Sequence, residues 1–206
     1  MFKNIGDMLS GKRAKENRAD VFTSTEPSER FKASDMTSNP TDRNFATALA
    51  WNTSTIVGNM LFESKITCLA SLTKSCEPES LRRLAAFVAW WSVQHYQEGA
   101  RSVAAEEPDS EAAVAEWIVA TTRVLELMYP PDDVGGKAIA VYQEGERRVG
   151  QPGFLFSTLE AVRNCVGLEA VDLGRDFMSD HLAVSSVLIA HKNSLVEVFG
   201  VLQGNG

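Results

Sequence analysis

The sequence predicts a mainly α, single-domain helical bundle of about six to seven helices with a flexible N-terminal arm. Apolar residues recur at helical spacing through most of the chain after residue 40, and prolines divide that part into segments of helical length. The stretch before it, residues 10–44, is crowded with polar and charged residues. At 206 residues the chain suits one core plus an appendage. We therefore divide it into an arm, residues 1–40, and a helical domain, residues 41–206.

The arm begins with a short amphipathic segment, residues 1–10. Four apolar residues in it are spaced to line one side of a helix: Phe2, Ile5, Met8 and Leu9. Three basic residues follow: Lys12, Arg13 and Lys15. Because an isolated helix needs roughly 12 residues to be stable in water, the segment should become helical only when it docks on a partner. The polar remainder of the arm can bury too little apolar surface to become ordered by itself.

Two helical segments open the domain. The first, residues 41–72, is weakened in its middle by Gly58 and by the run Asn52–Thr55, which predicts either one bent helix or two shorter ones. The second begins at Pro78, a favourable residue for a first helical turn, and is apolar on nearly all sides over Leu84–Trp91. Because a helix without a polar side is usually buried, we place the second segment at the centre of the core.

The next segment gives the clearest helical pattern. Its apolar stripe runs from Val114 to Met128 and stops at Tyr129-Pro130-Pro131. Beyond it, residues 132–151 have two interpretations. Gly135-Gly136 and the alternation that follows favour a short strand, whereas the later residues favour a helix equally well. A lone strand has nothing to pair with, which counts against the strand.

Two further segments complete the domain. After Pro152 the helical spacing resumes, and Gly167 is placed to end that helix. The last segment, residues 183–202, is either a helix or a hairpin that turns at Lys192-Asn193. Because strict alternation of apolar and polar residues is absent, we favour the helix.

The large aromatic residues and the cysteines are predicted to belong to the core. Five large aromatic residues could form either a platform for a ligand or part of the core. Because they fall at helical spacing, we favour the core. They are Phe87, Trp90, Trp91, Tyr96 and Trp117. The cysteines, Cys68, Cys76 and Cys165, are odd in number and include no C-x-x-C pair. This argues against a disulfide framework and against a zinc site, so we expect small buried thiols.

Charge and hydropathy exclude several classes of function. The chain beyond residue 44 carries 12 basic and 20 acidic residues, so duplex nucleic acid is not expected as a partner. Residues 1–18, by contrast, carry five basic and two acidic residues. The longest apolar run, Leu84–Trp91, has eight residues, whereas a membrane-spanning helix takes roughly 20. The N-terminus also lacks the apolar region of a secretory signal, and we predict a cytoplasmic protein.

The chain shows no catalytic motif, and we predict no catalytic residue, cofactor, metal or small-molecule ligand. Residues 132–137 superficially suggest a phosphate loop, but that motif needs Gly where Pro131 stands and Ser or Thr where Ala138 stands. We interpret them as a turn between two helices. The three histidines have no metal-ligand spacing: His95, His181 and His191. His191 lies on an apolar stripe and is expected to be a core residue.

The leading hypothesis for function is a non-enzymatic protein that works through protein contacts. It would act as an adaptor, a chaperone-like subunit or a component that assembles with copies of itself, and its arm would contact the partner or the neighbouring copy. One alternative is a small enzyme with an acidic site between helices around Asp176, Asp180 and His181, where two carboxylates would divide acid and base roles. The other is a peripheral membrane protein anchored by residues 1–15.

Overall fold

Every element of regular structure in the described part of the chain is helical, which confirms the mainly α fold class. The computed structural model describes residues 40–63, 66–75, 77–106, 111–151, 158–167 and 177–204. Within these ranges the helices are α1 Pro40–Phe62, a 3₁₀ helix Thr67–Leu69, α2 Ala70–Ser75, α3 Pro78–Glu106, α4 Glu111–Met128, α5 Val134–Arg148, α6 Thr158–Cys165 and α7 Phe177–Gly204. The predicted arm, apart from Pro40, lies outside them.

Helix α3 is the centre of the bundle, as its apolar pattern predicted. All seven residues of Leu84–Trp90 are buried. The helix contacts α1, α4, α5, α6 and α7. A helix that is contacted from every side needs no polar face. The outer helices pack against α3 and against one another on one side only, so each can keep a polar side in water.

Helix α1 runs through the predicted weak middle without a break. The hydroxyls of Ser54 and Thr55 donate to carbonyl oxygens one turn back in the helix, and the side-chain amide of Asn52 donates to the hydroxyl of Ser92 on α3 at 3.2 Å. Ser54 and Thr55 are therefore satisfied inside the helix and Asn52 by α3, whereas the buried hydroxyl of Thr53 has no hydrogen-bond partner. The predicted break in the middle of this segment is wrong, because one helix continues to Phe62 and the next α-helix begins only at Ala70.

The open question over residues 132–151 is resolved as a helix, α5. The chain turns between Tyr129 and Asp133, and Gly135 and Gly136 already belong to the first turn of α5. The prediction of a turn over 132–137 was therefore wrong from Val134 onward. The glycines are needed for space, because a Cβ atom on Gly136 would lie 1.9 Å from the carbonyl oxygen of Pro130.

Arg82 connects the central helix to the turn between α4 and α5. Its Nε atom donates to Asp133 at 2.9 Å, and a terminal nitrogen donates to the carbonyl oxygen of Met128 at 2.7 Å. The guanidinium also lies over the ring of Tyr129, 4.4 Å from its centroid. Three contacts from one side chain hold this turn against α3.

The last two helices follow the sequence pattern. Helix α6 ends where predicted, with Gly167 in the left-handed region at φ 72°. Helix α7 spans the segment for which a hairpin was the rival interpretation, and it packs against α1, α3 and α6. The helical interpretation of both segments is confirmed.

The aromatic residues form core contacts, as favoured over a ligand platform. Two groups of rings, with centroids 5.3–6.2 Å apart, are Phe45, Tyr96 and Trp117, and Phe87, Trp90 and Tyr142. Cys68 and Cys165 are buried free thiols, which confirms the expectation for both. Cys76 lies outside the described residues.

Candidate functional site

The residues predicted to bind a partner lie outside the described part of the chain. They are Phe2, Ile5, Met8, Leu9, Lys12, Arg13 and Lys15. Their role stays a prediction. In the described ranges no helix is long and apolar enough to cross a membrane, and no three His, Cys, Asp or Glu side chains are grouped so as to hold a metal ion.

Asp180, from the predicted acidic site, caps the 3₁₀ helix. It lies in the first turn of α7 and is 3% exposed. Its carboxylate accepts hydrogen bonds from the backbone N–H of Thr67 at 2.7 Å and of Cys68 at 3.1 Å, and from the hydroxyl of Thr67 at 3.0 Å. These donors would otherwise be unsatisfied at a helix start. The contacts give Asp180 a structural role that joins α7 to the chain after α1.

The thiol beside Asp180 is not activated for nucleophilic attack. Burial, reinforced by the charge of Asp180, raises the pKa of Cys68 to about 12. A cysteine nucleophile needs the opposite shift, because the thiolate is the reactive form. Asp176, the other carboxylate of the predicted pair, lies outside the described residues, so the structure brings only Asp180 and His181 of that site together, as neighbours on α7.

The second buried thiol also belongs to the core. The Sγ atom of Cys165 lies 3.0 Å from the hydroxyl of Tyr142, which joins α6 to α5. Burial raises the pKa of Cys165 to about 12 and raises that of Tyr142 as well. Both groups therefore stay protonated over the physiological range, and the pair acts as a neutral hydrogen bond between helices.

Helices α1 and α7 are joined by a polar contact at His191. Its Nε2 atom lies 2.7 Å from the side-chain nitrogen of Asn59. Because the amide nitrogen can only donate, Nε2 must accept, which requires neutral imidazole. Burial also lowers the pKa of His191 from its ordinary value of 6.5. His191 is half-buried and lies at the edge of the core, so the prediction of a core residue was wrong, although Asn59 satisfies its ring nitrogen.

Acidification is expected to weaken the fold through His191. Below about pH 6.5 the unfolded chain takes up a proton that the folded chain resists, so the free energy of unfolding should fall between that pH and the lower folded pKa. Well above pH 6.5 the residue is neutral in both states and contributes no pH dependence. Urea titrations at pH 7.5 and pH 5.5 measure the loss. The His191→Gln variant should lose less over the same interval, and an equal loss in both proteins would contradict this role.

The surface that stands out is the solvent side of α7. Met178, Leu182 and Ile189 are 61%, 60% and 65% exposed. Their spacing of four and seven residues places them on one side of the helix, which we call the α7 face. The opposite side carries buried residues, among them Val184 and Leu188. Over the fourteen residues from Met178 to His191, Asp180 is the one Asp, Glu, Lys or Arg, and it is buried, while His181 and His191 are both partly buried.

The α7 face differs from an ordinary solvent-exposed side of this protein. On α5 the exposed Val141 has the exposed charged residues Lys137 and Glu144 on the same side, one turn away in either direction. Single exposed apolar residues among charges are normal on soluble proteins, whereas a row of them without charge is typical of an interaction surface. We therefore take the α7 face as the candidate functional site.

The sequence contains a feature that indicates the α7 face, but the helical pattern drew attention to the opposite side of the helix. The stripe used to predict this helix was its buried side, with Val184, Val187, Leu188 and His191. A helix that is apolar on both sides is expected to be buried on both. The absence of any Asp, Glu, Lys or Arg over 181–191 is the feature that marks a second apolar side.

Comparison of the chain with protein-family models, with curated proteins and with solved structures gives no match in any of the three. A fold class alone does not define a function, since many unrelated activities use helical bundles. The function must therefore be inferred from the chemistry of the surface residues themselves.

Proposed function

We propose that this chain is a non-enzymatic cytoplasmic subunit that works through protein contacts and assembles with copies of itself. The observation that carries the proposal is the α7 face, a row of three large exposed apolar side chains on a helix that has no Asp, Glu, Lys or Arg over residues 181–191. Adaptor and chaperone-like roles use the same kind of surface and belong to the same class.

Covering the α7 face is energetically favourable. Fully burying an aliphatic side chain of this size contributes about 1.5–3 kcal/mol, so three that are each exposed by some three fifths offer several kcal/mol to a partner. Residues 181–191 contain no Asp, Glu, Lys or Arg, so covering this stretch does not require a charged side chain to lose its water, which is the usual energetic cost of covering a surface. The α7 face is therefore better suited to contact with protein than to contact with water.

The N-terminal arm supplies the second half of the proposal. Its first 18 residues have a net positive charge, whereas the chain beyond residue 44 is acidic. Opposite charge on the arm and the domain favours their approach and accelerates association at low ionic strength. An arm of one copy that contacts the domain of another would make the protein a self-assembling component.

Replacing Leu182 with aspartate is expected to abolish this assembly. A carboxylate at the centre of the α7 face would have to lose its water on contact, which should raise the dissociation constant by about tenfold or more. Light scattering over a concentration series gives the mass, and circular dichroism checks that the helices remain. The matched control is Val141→Asp, because Val141 is 56% exposed but lies among charged residues on α5.

Two results would contradict the proposal. One is a wild-type protein that stays monomeric up to a concentration of about 1 mM, where even weak specific contacts are populated. The other is an assembly that survives Leu182→Asp as well as it survives Val141→Asp, since the α7 face would then have no part in it.

A further inference from the structure

We infer that the chain has a second self-contact, in which the exposed side of α1 packs antiparallel against α1 of a second copy. This contact goes beyond the proposed function, because it uses a different helix and does not depend on the α7 face. Four features of α1 support it: the lack of charge, the hydroxyls that are satisfied inside the helix, the order of large and small side chains, and the charges at the two ends.

The exposed side of α1 is uncharged. Residues 44–62 contain no Asp, Glu, Lys or Arg. Trp51 and Phe62 are 40% and 62% exposed, and the residues between them on the same side are small and partly exposed. Ile56 and Met60, on the opposite side, are buried. We call the exposed row the α1 face, and its members are Trp51, Ser54, Thr55, Gly58 and Phe62.

The two hydroxyls of the α1 face are already satisfied inside the helix. The hydroxyl of Ser54 donates to the carbonyl oxygen of Ala50 at 2.8 Å, and that of Thr55 donates to the carbonyl oxygen of Trp51 at 3.0 Å. Covering the face therefore leaves neither hydroxyl proton without an acceptor. No charged side chain within this stretch has to lose its water either. These residues can be covered at little energetic cost.

The order of side chains along the α1 face identifies a second α1 as the occupant. From Trp51 through Thr55 and Gly58 to Phe62 the order is large, small, small, large, which is the same in both directions. When two copies pair antiparallel about a two-fold axis midway along this row, Trp51 of each copy faces Phe62 of the other, and Thr55 faces Gly58. An unrelated helix has no reason to share this order, whereas a second copy has it by identity.

Gly58 lets the two helices approach closely near the centre of the contact. A Cβ atom built on Gly58 meets nothing within 4 Å, so the space beside it is open to Thr55 of the second copy. The distance between packed helices depends on the side chains at the contact, and glycine shortens it. The aromatic rings, about 17 Å apart along each helix, then pair at both ends of the contact.

The charges that flank the α1 face favour the antiparallel order. Arg43 precedes the uncharged stretch, and Glu63 follows it. In the antiparallel pair, each end combines Arg43 of one copy with Glu63 of the other, about 10 Å apart along the helix axis. A parallel pair would instead bring the two Glu63 side chains together at one end and the two Arg43 side chains together at the other. Opposite charges at each end therefore select the antiparallel arrangement.

The area of the α1 face indicates a weak contact. The exposed parts of Trp51 and Phe62 amount to roughly 250 Å². A stable contact between two folded proteins covers roughly 800 Å² on each partner. The α1 pair should therefore become populated only as the protein concentration approaches about 1 mM, and it is the contact that remains when the α7 face is disabled.

Gly58→Gln tests the inference in protein that also carries Leu182→Asp, in which the α7 face no longer contributes. Gln favours a helix more than Gly does, and a Cβ atom has room at this position, so the fold should be kept. The longer side chain would nevertheless hold the two helices apart. Sedimentation equilibrium up to about 1 mM should show pairs of the Leu182→Asp protein, and Gly58→Gln should raise their dissociation constant by about tenfold or more.

Trp51 provides a local signal for the same test. The chain has four tryptophans, so the ¹⁹F signal of a fluorotryptophan at Trp51 can be assigned by comparison with Trp51→Phe. In the Leu182→Asp protein this signal should move with concentration, and Gly58→Gln should abolish the movement. The matched control is Val141→Gln, which places the same side chain at a position on α5 that is 56% exposed and should change neither result.

The outcomes separate the α1 pair from the proposed function. If the Leu182→Asp protein stays monomeric up to about 1 mM, or pairs equally well with Gly58→Gln and with Val141→Gln, the inference is wrong, and assembly of the wild type through the α7 face is unaffected. If the Leu182→Asp protein pairs as strongly as the wild type and Gly58→Gln weakens that pairing, the inference is supported and the proposed role of the α7 face is wrong. Phe62→Gln, at the end of the α1 face, replaces Gly58→Gln if urea unfolding shows a loss of stability.

Discussion

Replacing Gly136 with alanine is expected to lower the free energy of unfolding by about 3 kcal/mol or more. The added Cβ atom would lie 1.9 Å from the carbonyl oxygen of Pro130 and 2.8 Å from that of Tyr129. Both are backbone atoms of a turn that Arg82 holds through Asp133, so neither can move aside without disturbing that contact. Because folded domains are stable by only about 5–15 kcal/mol, urea unfolding should show a large shift of the midpoint.

Gly58 provides the matched control for Gly136. It also lies inside a helix, α1, but a Cβ atom built there meets nothing within 4 Å. Gly58→Ala should therefore stabilise the protein by about 0.5–1 kcal/mol, the ordinary gain in helix propensity. A Gly136→Ala variant that unfolds within about 0.5 kcal/mol of the wild type would show that the turn between α4 and α5 is looser than described.

Asp180→Ala is expected to cost about 3 kcal/mol of unfolding free energy. The substitution removes the acceptor of the backbone N–H groups of Thr67 and Cys68 and leaves them without a protein partner near the core. Hydrogen bonds to a charged group contribute more than neutral ones, and an unsatisfied buried donor adds its own cost. Urea unfolding at pH 7.5 gives the value, with the slope of the transition as a check on two-state behaviour.

The Asp180→Asn variant separates the contribution of the negative charge from that of the side chain's shape. The amide keeps one oxygen that can accept from Thr67 or Cys68, so this variant should lie between the wild type and Asp180→Ala in stability. If the alanine variant is as stable as the wild type, Asp180 does not cap the 3₁₀ helix. The residue would then be open to the catalytic role that the alternative hypothesis gave it.

The pattern of apolar residues, prolines and glycines along the sequence correctly predicted which helix is central and where two of the helices end. The apolar run Leu84–Trp91 marked the central helix because no other position in a bundle covers a helix on all sides. The prolines after Met128 marked the end of α4, since proline cannot continue a helix and restricts the residue before it. Gly167 ended α6 for a local reason, its left-handed backbone.

Features that depend on two distant segments escaped the sequence analysis. Gly136 looks like a turn residue, and only its distance to Pro130 shows that it is needed for space. In the sequence, Asp180 looks like one carboxylate of an acidic site between helices, and only its bonds to Thr67, more than a hundred residues earlier, show that it is a buried cap. The α7 face was hidden for the same reason, because periodicity identifies apolar sides but does not say which of two is covered.

The methyl signal of Met178 tests the central claim, that this protein makes its contacts through the α7 face. The chain has six methionines, so the Met178 signal can be assigned by comparison with Met178→Leu in protein labelled with ¹³C at the methionine methyl groups. In a dilution series of the wild type, the signal should move with concentration to a limiting position, while that of Leu182→Asp stays at the dilute value. A wild-type Met178 signal that is the same at every concentration, in a protein whose measured mass nevertheless rises, would contradict the claim.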